Sequence, residues 1–512
     1  MALLSLSRLY TKLLILGSTL TFLLLLYTLS LSSIKSLTSS LNIGSSSESY
    51  SCSPQSYSAG QWSYKPRTNS TALVHPMDTL TFAGFQGCAS NREVYWHLGV
   101  GPTRDNENEG VDGVGKGMWD RFPVVSSWKW ETEEGCNMRP FDAEELVRSL
   151  VEDGGWLLIG DSMTESEPLL LPLLPPLPTR HRYPDYVKNP YFDRAWPQHL
   201  YLNPESCPEW TPLRYPPGFN ITSTPLVTFR RVDLLLSKEE LEGLYETSTP
   251  HRRQYPPTPQ HRRQSEPELP SSPRAKRPLF TEETIWTLSP SIYLRSLFLS
   301  PLPEANYATM IVSTAGHWTA PGLFGAFDNT SSTTEGENNS TSKDGEDADP
   351  GGIDALIPFF GEAMEMWADS VQEDLDRDEG VVLGGYRFFR PHRSTPLRAK
   401  RQVLVRAYLP GHEDCHSYRR PWDEMPANPW VWGWYNWPVL SSLLTNALLC
   451  VTQDLLQNRN KYPNIHYLGI DRPARLRPDA HATGDCLHIM TGAGVLEGWS
   501  EYIWHWVSSE RS

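Results

Sequence analysis

Two short strings far apart in the chain hold the residue types of nucleophilic acyl transfer: Gly160-Asp161-Ser162, which ends the apolar run Trp156-Leu157-Leu158-Ile159, and Asp485-Cys486-Leu487-His488. A serine hydroxyl is a weak nucleophile until a base takes its proton and nearby donors stabilise the oxyanion that follows. A tight strand-to-helix turn would expose the Ser162 hydroxyl and aim backbone N–H groups around Gly160 and Asp161 at a bound carbonyl. Gly160 permits the unusual backbone angles of such a turn. Asp485 and His488 sit three residues apart, so one helical turn or a compact loop would bring carboxylate to imidazole and fix its tautomer. Taken singly, each has a simpler reading: Ser162 as a turn serine, Asp485 as a cap, His488 as a hydrogen-bonded core histidine.

Other chemistry-bearing residues cluster nearby. Arg477, Asp479 and His481 are assigned to shaping the site or contacting substrate, with Arg477 as the neighbour of the other two. His412, Cys415 and His416 have metal-ligand chemistry, yet no second cluster completes a site; a disulfide is the favoured fate of Cys415 and no metal is expected. The tryptophans of NPWVWGWYNW, 428–437, could line a sugar groove or pack in the core, and packing is favoured.

Four apolar runs would position these residues: WLLIG at 156–160, TMIVST at 309–314, QVLVRAYL at 402–409 and IHYLGI at 465–470. Each fits a strand buried on both faces. Helical patterns at 142–153, 353–375, 436–458 and 495–507 alternate with them, so an α/β domain with a mostly parallel sheet is expected. Ligands of such sheets bind beyond the carboxyl ends of the strands, where Gly160-Asp161-Ser162 falls. The segment 238–280, which contains the repeated tetrapeptide HRRQ, and the acidic segment 329–352 read as disordered insertions.

At 512 residues with 39% hydrophobic content the chain can build a sizeable core, and 19 Trp and 22 Tyr make it aromatic. A net charge of -15 excludes a nonspecific nucleic-acid binder, which needs a basic footprint. Residues 13–34 are uncharged, apolar and long enough to span a bilayer, and Arg8 and Lys12 precede them. The expected organisation is a cytosolic tail at 1–12, a signal anchor at 13–34, a stem at 35–75 and a lumenal domain at 76–512. A cleaved signal peptide is the rival reading. Sequons at Asn69, Asn220, Asn329, Asn338 and Asn339 agree with a secretory lumen. The seven cysteines allow up to three disulfides there and leave one thiol, for which Cys450, in an apolar helical run, is the buried candidate.

The run SWKWETEEGCNMRPFDAEELVRSLVEDGGWLLIGDS resembles the trichome-birefringence-like and PC-esterase family, a branch of the SGNH (GDSL-like) acyl-hydrolase fold. Trp128, Trp130, Cys136, Arg139, Pro140 and Phe141 correspond to its W-x-W, Cys and Pro-Arg-Phe block, with Arg and Pro exchanged. STAGHW at 313–318 is similar to the Gly-His-Trp block, RAYLPGHEDC at 406–415 to a His-then-Cys block, and RPDAHATGDCLH to the Arg-x-Asp-x-His and Asp-Cys-x-His blocks. The resemblance touches these blocks in order over roughly 76–512. It implies an SGNH-like three-layer fold, with Ser162 as nucleophile, His488 as base and Asp485 as orienting acid. Gly160, Asp161, Thr314, Gly316 and His317 then fall where oxyanion donors or substrate contacts belong. Met163-Thr164-Glu165 replaces the Arg-Asn-Gln of plant members, and Thr314 replaces an Asn, so the acceptor does not transfer from them. The implied activity is glycan or polysaccharide O-acetyl transfer in the Golgi or another secretory membrane by a single-pass type II protein. No bound cofactor is expected, and acetyl-CoA is one candidate donor. An O-acetylesterase with the same triad is the nearest alternative; a non-catalytic glycan-binding or scaffold protein is the alternative of another class.

Overall fold

The structure is a computed structural model that describes residues 50–66, 82, 122–165, 179–182, 197–202, 213–247, 278–281, 285–318, 323–327, 353–379, 400–409, 411–412, 415–425, 450–482 and 486–509. The proposed anchor at 13–34, the insertion at 329–352, most of the helix at 436–458 and the tryptophans at 428–437 lie outside the described residues. Among the described residues no helix is long and apolar enough to cross a membrane.

A seven-stranded sheet organises the body. Its strands are β3 (Gly155–Gly160), β4 (Thr179–Arg182), β5 (Pro197–Leu202), β6 (Pro225–Arg231), β7 (Tyr307–Ser313), β8 (Gln402–Arg406) and β9 (Ile465–Leu468), in the order β4-β5-β6-β3-β7-β8-β9. The four expected strands appear as β3, β7, β8 and β9. From β6 to β9 all neighbours pair in parallel, whereas β4 and β5 extend the β6 edge antiparallel. Every residue of β3, β7 and β8 is buried. Alternate side chains leave opposite faces of a strand, so both faces are covered, as a three-layer α/β arrangement requires. β3 is the switch point: β6 lies on one side of it and β7 on the other, and in open α/β sheets ligands bind beyond the carboxyl end at such a point.

Helix α1 (Ala143–Glu152) packs against β3 and β6 through Leu146, Val147, Leu150 and Val151. Asp142 caps it by accepting the Glu145 N–H at 2.9 Å, and Glu144 and Glu145 sit in the first turn, where carboxylates favour the helix dipole. Helix α2 (Lys238–Thr247) corrects the expectation of disorder across 238–280. Leu241 and Tyr245 recur at helical spacing and are buried, and Leu279 and Phe280 are buried as well. The proline and arginine density of 248–277 belongs to residues outside those described. Helix α3 (Ile353–Glu379) and helix α4 (Val495–Ser509) appear where periodicity places them.

The folded body begins earlier than expected. Within the 35–75 stem, Pro54–Ser58 is helical and β1 (Gln61–Tyr64) pairs antiparallel with β2 (Trp128–Glu131). Serine-rich composition hides three anchors there: Cys52 is bridged to Cys136, Tyr57 is buried, and Trp62 Nε1 donates to the Pro473 carbonyl at 2.9 Å. Trp130 Nε1 likewise donates to the Tyr57 carbonyl. A second disulfide joins Cys415 to Cys486, as favoured for Cys415. Cys450 is free but exposed, a correction to its expected burial. The inward face of that helix is carried by Val451 and Leu455, which pack on the core. Asn220, whose sequon falls among the described residues, is exposed.

Candidate active site

Ser162 opens a single helical turn, Ser162–Glu165, directly after β3. The turn is tight because Gly160 has no side chain: an added Cβ would run into Thr164 Oγ1 and the Ser313 carbonyl oxygen of β7. Asp161 fixes the turn from beneath. It is fully buried, its Oδ1 accepts the Met163 N–H at 3.0 Å, and its Oδ2 accepts the Tyr408 hydroxyl at 2.8 Å. Burial, then the Asp161 charge beside it, holds the Tyr408 phenol well above its ordinary pKa, so it stays a donor. With both carboxylate oxygens engaged below the turn, Asp161 positions Ser162 rather than touching substrate.

The Ser162 hydroxyl lies 2.7 Å from His488 Nε2, and both side chains are part-exposed. This is the nucleophile-to-base geometry required for proton removal. Asp485 lies outside the described residues. The His488 segment is held on several sides: Ala482 N–H donates to the His488 carbonyl at 2.8 Å, Met490 N–H donates to Ala480 at 2.9 Å, and Cys486 is bridged.

Thr314 is a correction. Its hydroxyl donates to the Asp233 carbonyl at 3.0 Å, so it is committed to joining β7 to the end of β6 and is not an oxyanion donor. Gly316 is buried with its backbone against the Tyr408 phenol, where an added Cβ would clash. His317 is part-exposed, with Nε2 3.7 Å from Asp233 Oδ1.

Arg477 and Asp479 shape the site from within and do not reach substrate, because both are fully buried. Arg477 donates to both Asp479 oxygens, at 2.8 and 3.1 Å, and to the carbonyls of Val125 and Ala493, and its guanidinium stacks on Trp62. The fork thus ties the start of the His488 loop to the β1–β2 sheet and to the entry of α4. Breaking one partner leaves the other charge buried and unpaired, at a cost of about 3–5 kcal/mol. Asp479→Asn is therefore expected to lower the melting temperature by roughly 3–5 °C; a calorimetric scan showing no shift would contradict this role.

His481 is also buried and cannot contact substrate. His412 Nε2 donates to the Arg475 carbonyl at 2.9 Å, so His412 Nδ1 accepts from His481 Nε2 at 2.6 Å. His481 Nδ1 in turn lies 3.2 Å from the His488 carbonyl, a contact that is a hydrogen bond only when both His481 nitrogens carry protons. Burial pushes the His412 pKa down from 6.5 to about 4. The unfolded chain binds that proton first, so the contribution of His412 is full above pH 6.5 and is lost as pH falls toward 4. We expect wild type to lose about 3 kcal/mol relative to His412→Gln across that window, read from urea midpoints at each pH; parallel curves would contradict it.

Sequence reasoning missed Tyr408 and Asp233. Tyr408 was read only as part of a strand, and the signal for Asp233 was a lone carboxylate between Arg230-Arg231-Val232 and the apolar Leu234-Leu235-Leu236. Compared with known proteins, the chain matches no family model and no curated protein sequence.

Proposed function

We propose that this chain is a serine-dependent acyltransferase, and that the acyl group is acetyl and the acceptor a glycan hydroxyl. The observation that carries the reading is the 2.7 Å approach of Ser162 Oγ to His488 Nε2 at the carboxyl end of the switch-point strand. In the first half-reaction His488 takes the Ser162 proton as the serine oxygen attacks the acyl carbonyl carbon. The tetrahedral intermediate collapses, the bond to the leaving group breaks, and His488 returns its proton to that group. In the second, a sugar hydroxyl gives its proton to His488 and attacks the acyl-serine carbonyl; the bond to Ser162 Oγ then breaks, and His488 returns the proton to the departing serine oxygen. Asp485 is the proposed partner of His488 Nδ1. Because the Met163 N–H and the Thr314 hydroxyl are already engaged, the backbone around Ser162 and Gly316 is the proposed oxyanion cradle.

The acetyl and glycan assignments rest on the ordered motif blocks of the sequence, and a type II secretory-membrane location on the apolar segment 13–34 with Arg8 and Lys12 before it. Two disulfides suit an oxidising compartment. The full chain incubated with an acetyl donor should acetylate a glycan acceptor faster than it releases free acetate. Acetate release that ignores added acceptor would make it an esterase. Neither product from an intact, folded chain would contradict acyl chemistry altogether.

A further inference from the structure

Beside the nucleophile, the end of β6 carries a charged cluster that the acyl-transfer steps do not use. Arg231 is the register partner of Gly160, one strand away from the entry to the Ser162 turn, and the Val232 N–H donates to the Gly160 carbonyl at 2.8 Å. Arg231 Nε donates to Asp233 Oδ1 at 3.1 Å, and its guanidinium carbon lies 4.2 Å from the Trp286 ring centroid. Asp233 is itself fixed: it is fully buried, and its Oδ2 accepts the Trp286 N–H at 3.0 Å. The guanidinium is therefore held along one edge and across one face. Its terminal amino groups make no hydrogen bond with any described residue, and the side chain is 17% exposed.

A guanidinium fixed in this way presents its remaining N–H donors as a preorganised fork, which matches the paired oxygens of a carboxylate or phosphate. Trp286 does not offer that ring face as a sugar-stacking platform, because Arg231 covers it. Asp233 offsets the arginine's charge in the unliganded protein but spends its own acceptors on Arg231, Trp286 and the approach of His317.

We infer that Arg231, seated by Asp233 and Trp286, binds an anionic group carried by one of the two substrates of Ser162. This rests on the acyl-transfer reading and narrows its substrate class to a phosphate-bearing donor or a carboxylate-bearing acceptor. The test is isothermal titration of the full chain carrying Ser162→Ala, which blocks turnover, with coenzyme A, a glucuronate-bearing oligosaccharide and a neutral oligosaccharide. Binding of coenzyme A identifies the donor phosphate, and binding of the glucuronate ligand identifies the acceptor. Adding Arg231→Gln should weaken that ligand roughly tenfold to a hundredfold and leave the neutral ligand alone. Arg231→Lys keeps the charge but loses the fork, so it should fall between the two, and it serves if the Gln variant fails to fold. No binding of either anion, or equal weakening of charged and neutral ligands, would overturn the site. Acylation is not part of this readout, so a chain that binds an anion through Arg231 but never acylates Ser162 would sink the acyl-transfer reading and keep the site.

Discussion

Ser162→Ala is expected to lower acyl-transfer turnover by about four orders of magnitude or more while leaving the melting temperature within a few degrees of wild type. The magnitude follows from the non-additivity of nucleophile and base: removing either stops the covalent route and leaves only binding and oxyanion stabilisation. The small stability effect follows from geometry. Ser162 is part-exposed, and the turn is held by Gly160, Asp161 and Tyr408 rather than by its hydroxyl. His488→Ala should match the loss, and the double variant should be no worse than either single one. A double variant that multiplies the two losses would mean that the hydroxyl and imidazole act separately.

The second large effect is expected from the Cys415–Cys486 bridge. Cys486 stands two residues before His488, and the His412 N–H donates to the Cys486 carbonyl at 2.9 Å. The bridge spans 71 positions, and a loop of that length constrains the unfolded chain by about 4 kcal/mol in the chain-entropy account. Cys415→Ser with Cys486→Ser should therefore drop the unfolding midpoint substantially. Below that midpoint turnover should still fall about a hundredfold, with KM changed little, because small displacements of a catalytic base are costly. Full turnover in the folded double serine variant would show that the hydrogen bonds at Ala482 and Met490 suffice to aim His488.

The same residues show what sequence could reveal. β3, β7 and β8 were legible because strands buried on both faces must be continuously apolar, and the edge strand β9 because Ile465 and Leu468 at its two ends are buried. β4, written Thr179-Arg180-His181-Arg182, carries no such signal, since an edge strand need not bury both faces. The Ser162–His488 pair was legible as residue types, but their meeting depends on the sheet order, which places β9 three strands from β3 and sends the chain back through the 480–490 loop. Arg477, Asp479 and His481 were assigned to shaping the site or contacting substrate, and their burial leaves the first of the two. A polar triplet reads alike whether it faces substrate or braces a loop, and only complete burial separates the two. Thr314 failed for a related reason: its hydroxyl is spent on a carbonyl, Asp233, that lies 81 positions away in sequence.

Acyl transfer by Ser162 and His488 requires a covalent acyl intermediate on that one serine. The direct measurement is peptide mass spectrometry of the full chain, quenched in acid soon after mixing with an acetyl donor and without acceptor. An acetyl increment is expected on the peptide that contains Ser162, absent from Ser162→Ala and discharged when a glycan acceptor is added. An acetyl group that forms elsewhere and is passed to acceptor equally well by Ser162→Ala would contradict it.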